Sequence, residues 1–305
     1  MLRIYFCGGA GSNLGKQIKD LDIQSCFIDT STSNLKTVDL SQVYLMEGID
    51  GAGKHRATTY EGFKKSAEDV LIRFKPSEQL NVVVSSLSGG SGSVISPLLA
   101  KELISKGHNV IVIGVDSKNS VIELENSVKT LKTFKSISDT IKKSISLFYV
   151  ENTSRKEADQ RAIRFINLLS LLVNKQYTEE FDTSDLGNYI SFDRVTDNPP
   201  SVSVIEINAN EQIVPEKNTN IVSTILVTKD HNSSISQVTP EYLSTCIVTD
   251  PNYNNEDIRM DNVLGKLSLI VESLEKQIKE HADNKKINKF RELEVETSND
   301  DGMVL

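Results

Sequence analysis

The sequence predicts an α/β fold: a doubly wound, mostly parallel sheet followed by a smaller α+β region. Short β-branched runs alternate with longer helical patterns through the first half of the chain. Several of these runs, such as VVV at 82–84, are apolar without alternation, which is typical of strands covered on both faces. Glycine-rich turns stand between strand and helix at two places. In such a fold the ligand site lies outside the carboxyl ends of the strands.

The first half supplies six predicted strands with helices between them. The strands are expected at 2–7, 24–29, 43–47, 81–86, 109–115 and 145–150. The helices are expected at 12–20, 58–74, 93–106 and 121–142. The stretch 155–178 begins polar and becomes apolar on nearly every side, which predicts a helix buried between two bodies. We therefore expect a first domain at 1–154 and a central helix at 155–178.

The remainder predicts a second domain at 179–280. Strands are expected near 202–207, 222–228 and 243–249, joined by longer polar loops. A final helix is expected at 262–280, because Val263, Leu267, Ile270, Val271, Leu274 and Ile278 recur at three- to four-residue spacing. Residues 281–305 form a predicted tail that is first basic and then acidic. A solvated end is the ordinary interpretation of such a tail, and docking on a neighbouring subunit is the alternative.

Composition excludes several classes of protein. The chain has 305 residues and a formal net charge of −8, which argues against nonspecific electrostatic binding to nucleic acid or to anionic membranes. No run approaches the roughly 18 apolar residues that a membrane span needs. The three cysteines lie in apolar runs without a CxxC pair, so we expect buried thiols and a cytoplasmic location.

Two glycine-rich loops each follow a predicted strand and precede a predicted helix. The first contains Gly8, Gly9, Ala10, Gly11, Ser12 and Asn13. The second contains Ser88, Gly89, Gly90, Ser91, Gly92 and Ser93. Glycines allow the backbone to approach a ligand closely, and free N–H groups at a helix start attract anions. A single loop of this kind can be a tight turn without a ligand, whereas two on neighbouring strands predict a phosphate site.

The residues leave more than one phosphate ligand open. A Walker A loop is excluded, because the nearest stretch, AGSNLGKQ at 10–17, fails at both ends of the GxxxxGK[ST] pattern. A dinucleotide fingerprint fits better, with Gly9, Gly11 and Gly15 followed by Asp29 at the end of the second strand. Its third glycine is displaced by one residue. A Rossmann-type NAD(P)-dependent oxidoreductase that does not polymerise is therefore the alternative function.

The second loop carries a family resemblance. The stretch SGGSGSV at 88–94 resembles the GGGTGTG signature of the tubulin/FtsZ superfamily, with Ser in place of the first Gly and Val in place of the last. The first loop resembles the nucleotide loop that precedes it in that superfamily. The loop of Gly51, Ala52, Gly53 and Lys54 resembles the one that senses the γ-phosphate, and the order of these motifs agrees along residues 1–280. Length and tail resemble the phage and plasmid branch.

The resemblance implies a role for further residues. Glu123 and Glu125 match the ribose loop, while Asn152, with Asp159 or Gln160 on the central helix, falls where the base is read. Asp159 as a solvated helix-start acid is equally open. Asp182 and Asp185 match the acidic loop that completes a neighbour's active site, so they are the catalytic candidates; the alternative is that Asp182 caps a helix. Glu180 stands where the family usually has Asn.

The resemblance also implies an activity and partners. It predicts a GTPase that binds GTP or GDP with Mg²⁺ bridging phosphate oxygens and no protein metal ligand. The chain is expected to bind copies of itself head to tail in filaments that hydrolyse GTP at the subunit interface. Phage or plasmid nucleoprotein is the implied cargo, in the cytoplasm of the host bacterium. No membrane partner is expected.

Overall fold

The computed structural model describes residues 1–18, 23–174, 176–209, 216–229, 240–250, 253 and 257–296, with the backbone alone at 58 and at 285–296. Its first half alternates strands and helices, as predicted. The strands are β1 (Leu2–Cys7), β2 (Ile23–Asp29), β3 (Val43–Leu45), β4 (Leu80–Ser86), β5 (Val110–Val115) and β6 (Ile145–Val150). The helices are α1 (Gly8–Gly15), α2 (Arg56–Arg73), α3 (Gly92–Ser105) and α4 (Val121–Ile141). Helix α1 starts four residues before the predicted 12.

The second half contains α5, which is the central helix, and a mixed set of strands. Its helices are α5 (Arg155–Val173), α6 (Thr183–Ile190) and α7 (Lys266–Glu296). Its strands are β7 (Thr178–Glu179), β8 (Val202–Ala209), β9 (Asn220–Thr228), β10 (Tyr242–Val248) and β11 (Ile258–Leu264). The central helix therefore ends five residues before the predicted 178, where β7 begins.

One sheet joins the described strands in the order β3-β2-β1-β4-β5-β6-β8-β11-β9-β10-β7. From β3 to β8 every pair is parallel, so the carboxyl ends of these strands share one edge. Strand β11 runs antiparallel between β8 and β9. The α/β fold with a mostly parallel sheet is confirmed. The division into two domains stays a prediction; strand β6 of the predicted first domain pairs with strand β8 of the predicted second domain, so one sheet runs through both.

Two apolar cores lie on the two faces of the sheet. Helices α1, α5 and α6 contribute to one core, and α2, α3, α4 and α7 contribute to the other. Phe165, Ile166 and Leu169 of α5 are at most 1% exposed, which confirms a buried central helix. Burying each such side chain stabilises the fold by about 1.5–3 kcal/mol.

The prediction for 262–280 was wrong at its start. Residues Ile258–Leu264 form strand β11, and the last helix begins at Lys266 after Gly265, whose φ is +82°. Val263 therefore belongs to a strand and not to the helical stripe. The helix also continues to Glu296, beyond the predicted 280. The acidic end at 297–305, and with it Asp300 and Asp301, lies outside the described residues, as do the side chains of the basic stretch that begins at residue 285.

Candidate nucleotide-binding site

The two glycine loops contact each other at the carboxyl edge of the sheet. Gly8 follows β1 with φ +72°, and a Cβ built on it would lie 2.6 Å from the amide nitrogen of Gly92. A Cβ on Gly92 would in turn lie 2.7 Å from the carbonyl oxygen of Cys7. Side chains at these positions would push the loops apart, so glycine is what allows the starts of α1 and α3 to meet. Their first N–H groups have no partner inside the helices and favour an anion there.

A third loop packs onto the second. Gly51, Gly53 and Lys54 all have positive φ, at +77°, +50° and +67°. A Cβ on Gly90 would lie 2.7 Å from the Cβ of Ala52 and 3.0 Å from the Cα of Lys54. The buried Asn126 side chain of α4 donates to the carbonyl oxygens of Lys54 and Ser88, each at 3.1 Å, and so links the two loops.

These loops surround a cavity of about 520 Å³. Most of the predicted binding residues line it: Gly8, Gly9, Ala10, Asn13, Gly51, Ala52, Gly53, Lys54, Ser88, Gly89, Gly90, Ser91, Gly92, Glu123, Asn152 and Asp159. Its volume lies in the usual range of small-ligand sites, about 300–1,000 Å³. The cavity opens at the carboxyl ends of neighbouring strands, which is the position expected for a ligand in this fold class.

Five predicted binding residues do not line the cavity. Gly11 lies against the backbone, since a Cβ on it would be 2.7 Å from the carbonyl oxygen of Val84. Ser12 is fully buried, and its hydroxyl has no hydrogen-bond partner within the described part of the chain. Ser93 donates to the carbonyl oxygen of Gly89 and so shapes the loop. Glu125 pairs with Lys129 on the surface, 3.4 Å away, and Gln160 is exposed.

Lys54 and Glu123 form the charged pair of the cavity. The ammonium of Lys54 lies 2.8 Å from Oε1 of Glu123, and the hydroxyl of Ser117 donates to Oε2 at 2.9 Å. Partial burial pushes the pKa of Glu123 upward, but the hydrogen bonds from Lys54 and Ser117 outweigh it and hold that pKa below its ordinary value. Glu123 is therefore ionised at neutral pH and orients the one lysine that lines the described cavity.

Two further carboxylates are fixed by hydrogen bonds. Asp29 accepts from the backbone N–H of Thr30 at 2.7 Å and from the amide of Asn34 at 3.1 Å. Burial raises the pKa of Asp29, against the opposing effect of those hydrogen bonds. Asp116 accepts from the hydroxyl of Tyr149 at 2.6 Å and from the N–H of Ser117 at 2.7 Å. Asp29 ends β2 and Asp116 directly follows β5, and both line the cavity.

The start of α5 closes the other end of the cavity. Arg155, Ala158 and Asp159 lie on one face of the helix and line the cavity together with Asn152. Asp159 accepts a hydrogen bond of 2.7 Å from the amide of Gln17, which follows α1. At this end the cavity presents directional side-chain donors and acceptors, whereas the glycine loops present backbone.

Asp182 and Asp185 lie at the opposite edge of the sheet. Asp182 is the N-cap of α6 and accepts from the N–H groups of Ser184 and Asp185 at 2.6 and 3.1 Å. Asp185 accepts in return from the N–H of Asp182 at 2.9 Å, completing a capping box. The capping alternative for Asp182 is therefore present in the structure, while the catalytic interpretation stays a prediction.

Strand β4 separates these two regions. Asp182 lines a small cavity with Gln79, which precedes β4, whereas Ser88, which follows β4, lines the large cavity. The seven residues of β4 span about 23 Å. One subunit cannot bring its own Asp182 to a ligand held by its glycine loops.

Comparison with known proteins identifies the family. No protein-family model matches the chain. A phage tubulin-like protein of Pseudomonas phage PhiPA3 is 32% identical over 218 residues, which cover 69% of this chain and 67% of that protein. The chain belongs to the phage tubulin-like proteins.

Solved structures of the tubulin/FtsZ superfamily agree with this family. The protofilament of TubZ from bacteriophage PhiKZ superposes with a TM-score of 0.85 at 26% identity, over 94% of this chain and 92% of that one. The phage tubulin PhuZ with GDP superposes with a TM-score of 0.84 at 24% identity, over 93% and 92% of the two chains. The tubulin-like fold is thereby confirmed. Family membership also removes the oxidoreductase alternative, whose third glycine, Gly15, packs against Phe6 and Phe27 in the core.

Sequence reasoning missed several residues that line the cavity of this phage tubulin-like chain. They are Cys7, Thr30, Ser31, Ser33, Asn34, Ser86, Val115, Asp116, Ser117, Arg155 and Ala158, with Asp29 considered only for the oxidoreductase. The sequence did contain a signal for Asp116, because a polar residue directly after a buried parallel strand lies at the edge of the sheet where ligands bind.

None of the described helices is long and apolar enough to cross a membrane.

Proposed function

We propose that the chain binds GTP and GDP in the 520 Å³ cavity and hydrolyses GTP within head-to-tail filaments. One observation carries this proposal: a cavity suited to phosphate lies at one edge of the sheet, and an acidic loop lies at the other. The PhuZ structure contains GDP, and the TubZ structure is a protofilament; we carry both properties over to this chain as part of the proposal.

The three glycine loops would hold the phosphates. The first residues of helices α1 and α3 line the cavity and would offer their free N–H groups to the phosphates, and Lys54 adds one positive charge on a loop that packs against Gly90. The described residues contain no group of three His, Cys, Asp or Glu side chains able to hold a metal. Mg²⁺ would therefore bind mainly through phosphate oxygens and water, as it commonly does. It would neutralise the charge that develops on the phosphates.

The α5 end would read the base. Gln17 occupies one oxygen of Asp159, and the other oxygen can accept hydrogen bonds. Guanine presents two adjacent N–H donors on its Watson–Crick edge, whereas adenine presents a donor next to an acceptor, so a carboxylate favours guanine. Asn152 and Asn13, which also line the cavity, supply amide donors for the remaining edges.

Hydrolysis would require a second subunit. A heterologous head-to-tail contact presses the Asp182–Asp185 edge of one copy onto the cavity of the next, and repetition of that contact forms a filament. The carboxylates would then orient or deprotonate the attacking water. Activation by polymerisation follows, because an isolated subunit keeps these groups at opposite ends of β4.

The acidic end would strengthen assembly, and the filament would move cargo. Residues 297–305 lie outside the described chain, but their sequence, which includes Asp300, Asp301 and an apolar MVL end, suits docking on a basic patch of a neighbouring copy. Phage or plasmid nucleoprotein is the cargo we propose from the resemblance.

Turnover as a function of protein concentration tests the proposal. We expect GTP hydrolysis per subunit to rise steeply above a threshold concentration, and the same threshold to appear in pelleting with GTP or a non-hydrolysable analogue. An oxidoreductase, or a nucleotide-binding protein without turnover, would show at most one of these two results, the threshold in hydrolysis or the threshold in pelleting. Constant turnover per subunit across the threshold would remove the requirement for a second subunit.

A further inference from the structure

The base-binding end of the cavity contains no aromatic ring. None of the described residues that line it is Phe, Tyr, Trp or His. Bases bound by proteins commonly stack on an aromatic ring or on the plane of an arginine guanidinium. Arg155 supplies the guanidinium at this end, next to Asn152 and Asp159.

Arg155 is not held by its expected partner. Arg155 and Asp159 are four residues apart on α5, a spacing at which opposite charges often pair. Asp159 instead accepts from Gln17 at 2.7 Å. Arg155 makes no hydrogen bond or ion pair with any residue that the structure describes, and its side chain is exposed. The Gln17 contact therefore orients Asp159 and leaves the guanidinium available.

The residue between them leaves room for a flat ligand. Ala158 is 1% exposed and lines the same cavity, so only a methyl group stands between Arg155 and Asp159 on this face. A base whose edge lies at Asp159 would rest over Ala158 and reach the Arg155 plane. Guanidinium planes stack on flat π systems, which a lysine ammonium cannot do.

We propose that Arg155 stacks on the guanine base and takes the place of an aromatic ring, while Gln17 positions Asp159 against the base edge. This inference rests on the proposed binding of guanine nucleotides. The proposal assigns Arg155 a stacking role, in which the guanidinium plane contacts the base. The alternative is a charge role, in which the guanidinium pairs with a phosphate. The two roles give opposite results for substitutions that keep only the charge or only the plane.

Binding of GDP, GMP and guanosine by the full chain, below the concentration of assembly, tests the two roles. We expect Arg155→Gln to raise the Kd of GDP and of GMP by about 5- to 50-fold alike, the usual effect of losing one stack. Arg155→Tyr should restore the Kd to within about threefold, and Arg155→Lys should not. Arg161→Gln, which removes an exposed arginine of the same helix outside the cavity, is the matched control.

Several outcomes would overturn the inference. If Arg155→Lys keeps the wild-type Kd while Arg155→Tyr does not, or if the loss disappears for guanosine, the partner is a phosphate. If Arg155→Gln binds as the wild type does, Arg155 does not contact the nucleotide. Failure of the wild-type chain to bind any guanine nucleotide would instead refute the proposed function, which separates the two failures.

Fluorescence gives a readout independent of affinity. The chain contains no Trp, so Arg155→Trp introduces a single tryptophan, whose fluorescence can be excited apart from that of the tyrosines. Stacking on guanine should quench it when GDP saturates the site, and Arg161→Trp should remain unquenched. Equal responses from the two variants would contradict a stack at position 155.

Discussion

The two edges of the parallel sheet differ in what completes them. At the carboxyl edge, the phosphate loops of one chain fit one another so closely that a Cβ at Gly8, Gly90 or Gly92 would collide with backbone or with Ala52. At the opposite edge, Asp182 and Asp185 bond the start of their own helix, Asp185 also accepts from the hydroxyl of Tyr242, and Asp182 is exposed. The first edge forms its cavity within one chain, whereas under the proposed function the second edge has a chemical role only when it contacts a neighbouring copy.

The largest expected effect is at Gly90. Gly90→Val should weaken GTP binding by at least about 100-fold, because the displaced loop of Ala52 and Lys54 would lose two or more hydrogen bonds to charged phosphate, each contributing about 1.5–3 kcal/mol. Titration with a fluorescent guanine nucleotide measures it. Gly89→Ala is the matched control, since a Cβ there has only ordinary contact with Ser86 at 3.8 Å. Unchanged binding by the Val variant would show that these loops do not hold the phosphates.

The next effect separates catalysis from capping. Asp182→Ala should lower turnover in filaments by about 10²–10⁴-fold and also cost about 0.5–2 kcal/mol of stability through loss of the cap. Asp182→Asn keeps a good N-cap and removes the charge, so it should hydrolyse as slowly as the Ala variant while unfolding like the wild type. Asp185→Ala should also bind GTP, assemble and turn over slowly. Wild-type hydrolysis by Asp182→Asn would leave capping as the role of Asp182.

Sequence patterns located the carboxyl edge better than the opposite one. The apolar strand 2–7 and the glycine loops are local signals, and the structure has β1 at the predicted residues. Strand β11 was missed because Asp261 and Asn262 are polar yet fully buried. Asn262 donates to the carbonyl oxygen of Tyr189 at 2.8 Å, and Asp261 accepts from Arg259 at 2.8 Å; such distant or same-face partners have no local signature. The left-handed Gly265 was the available sign of a break before α7.

The candidate site shows the same limit. Ser12, Ser93 and Gly11 belong to the predicted motifs but do not line the cavity, and only the folded geometry distinguishes them from the motif residues that do. Asp116 and Arg155 belong to no motif and reach the cavity because β5 and α5 end and begin at the same edge. Motifs therefore predicted the backbone part of the site, and topology supplied much of the side-chain part.

A smaller effect concerns the Lys54–Glu123 pair. The pKa of Glu123 lies below its ordinary value, so ionised Glu123 stabilises the fold above the unfolded pKa of about 4.3, and this contribution is lost as the pH falls through the lower folded value. Glu123→Gln should cost less than about 1 kcal/mol at pH 7, because Lys54 is 48% exposed. Urea unfolding should show the difference from wild type closing below about pH 4. A difference that persists there would mean that packing, not charge, explains the cost.

The smallest expected effect tests whether the backbone conformation of Glu180, at the opposite edge, lowers the stability of the monomer and is tied to contact with a neighbouring copy. Glu180 has φ +58°, in the left-handed region that costs most L-residues about 1–2 kcal/mol and that Asn tolerates better. Glu180→Asn should therefore raise the free energy of unfolding by about 0.5–1 kcal/mol in the monomer. Lys142, with φ +53° at the end of α4, offers a matched site for the same substitution away from the acidic loop.

If both Asn variants gain stability and only Glu180→Asn changes turnover in filaments, the glutamate acts on the neighbouring copy and its strain is tied to that contact. Equal turnover in the two variants would make the conformation of residue 180 a local feature of the loop, with Asp182 and Asp185 alone acting across the interface.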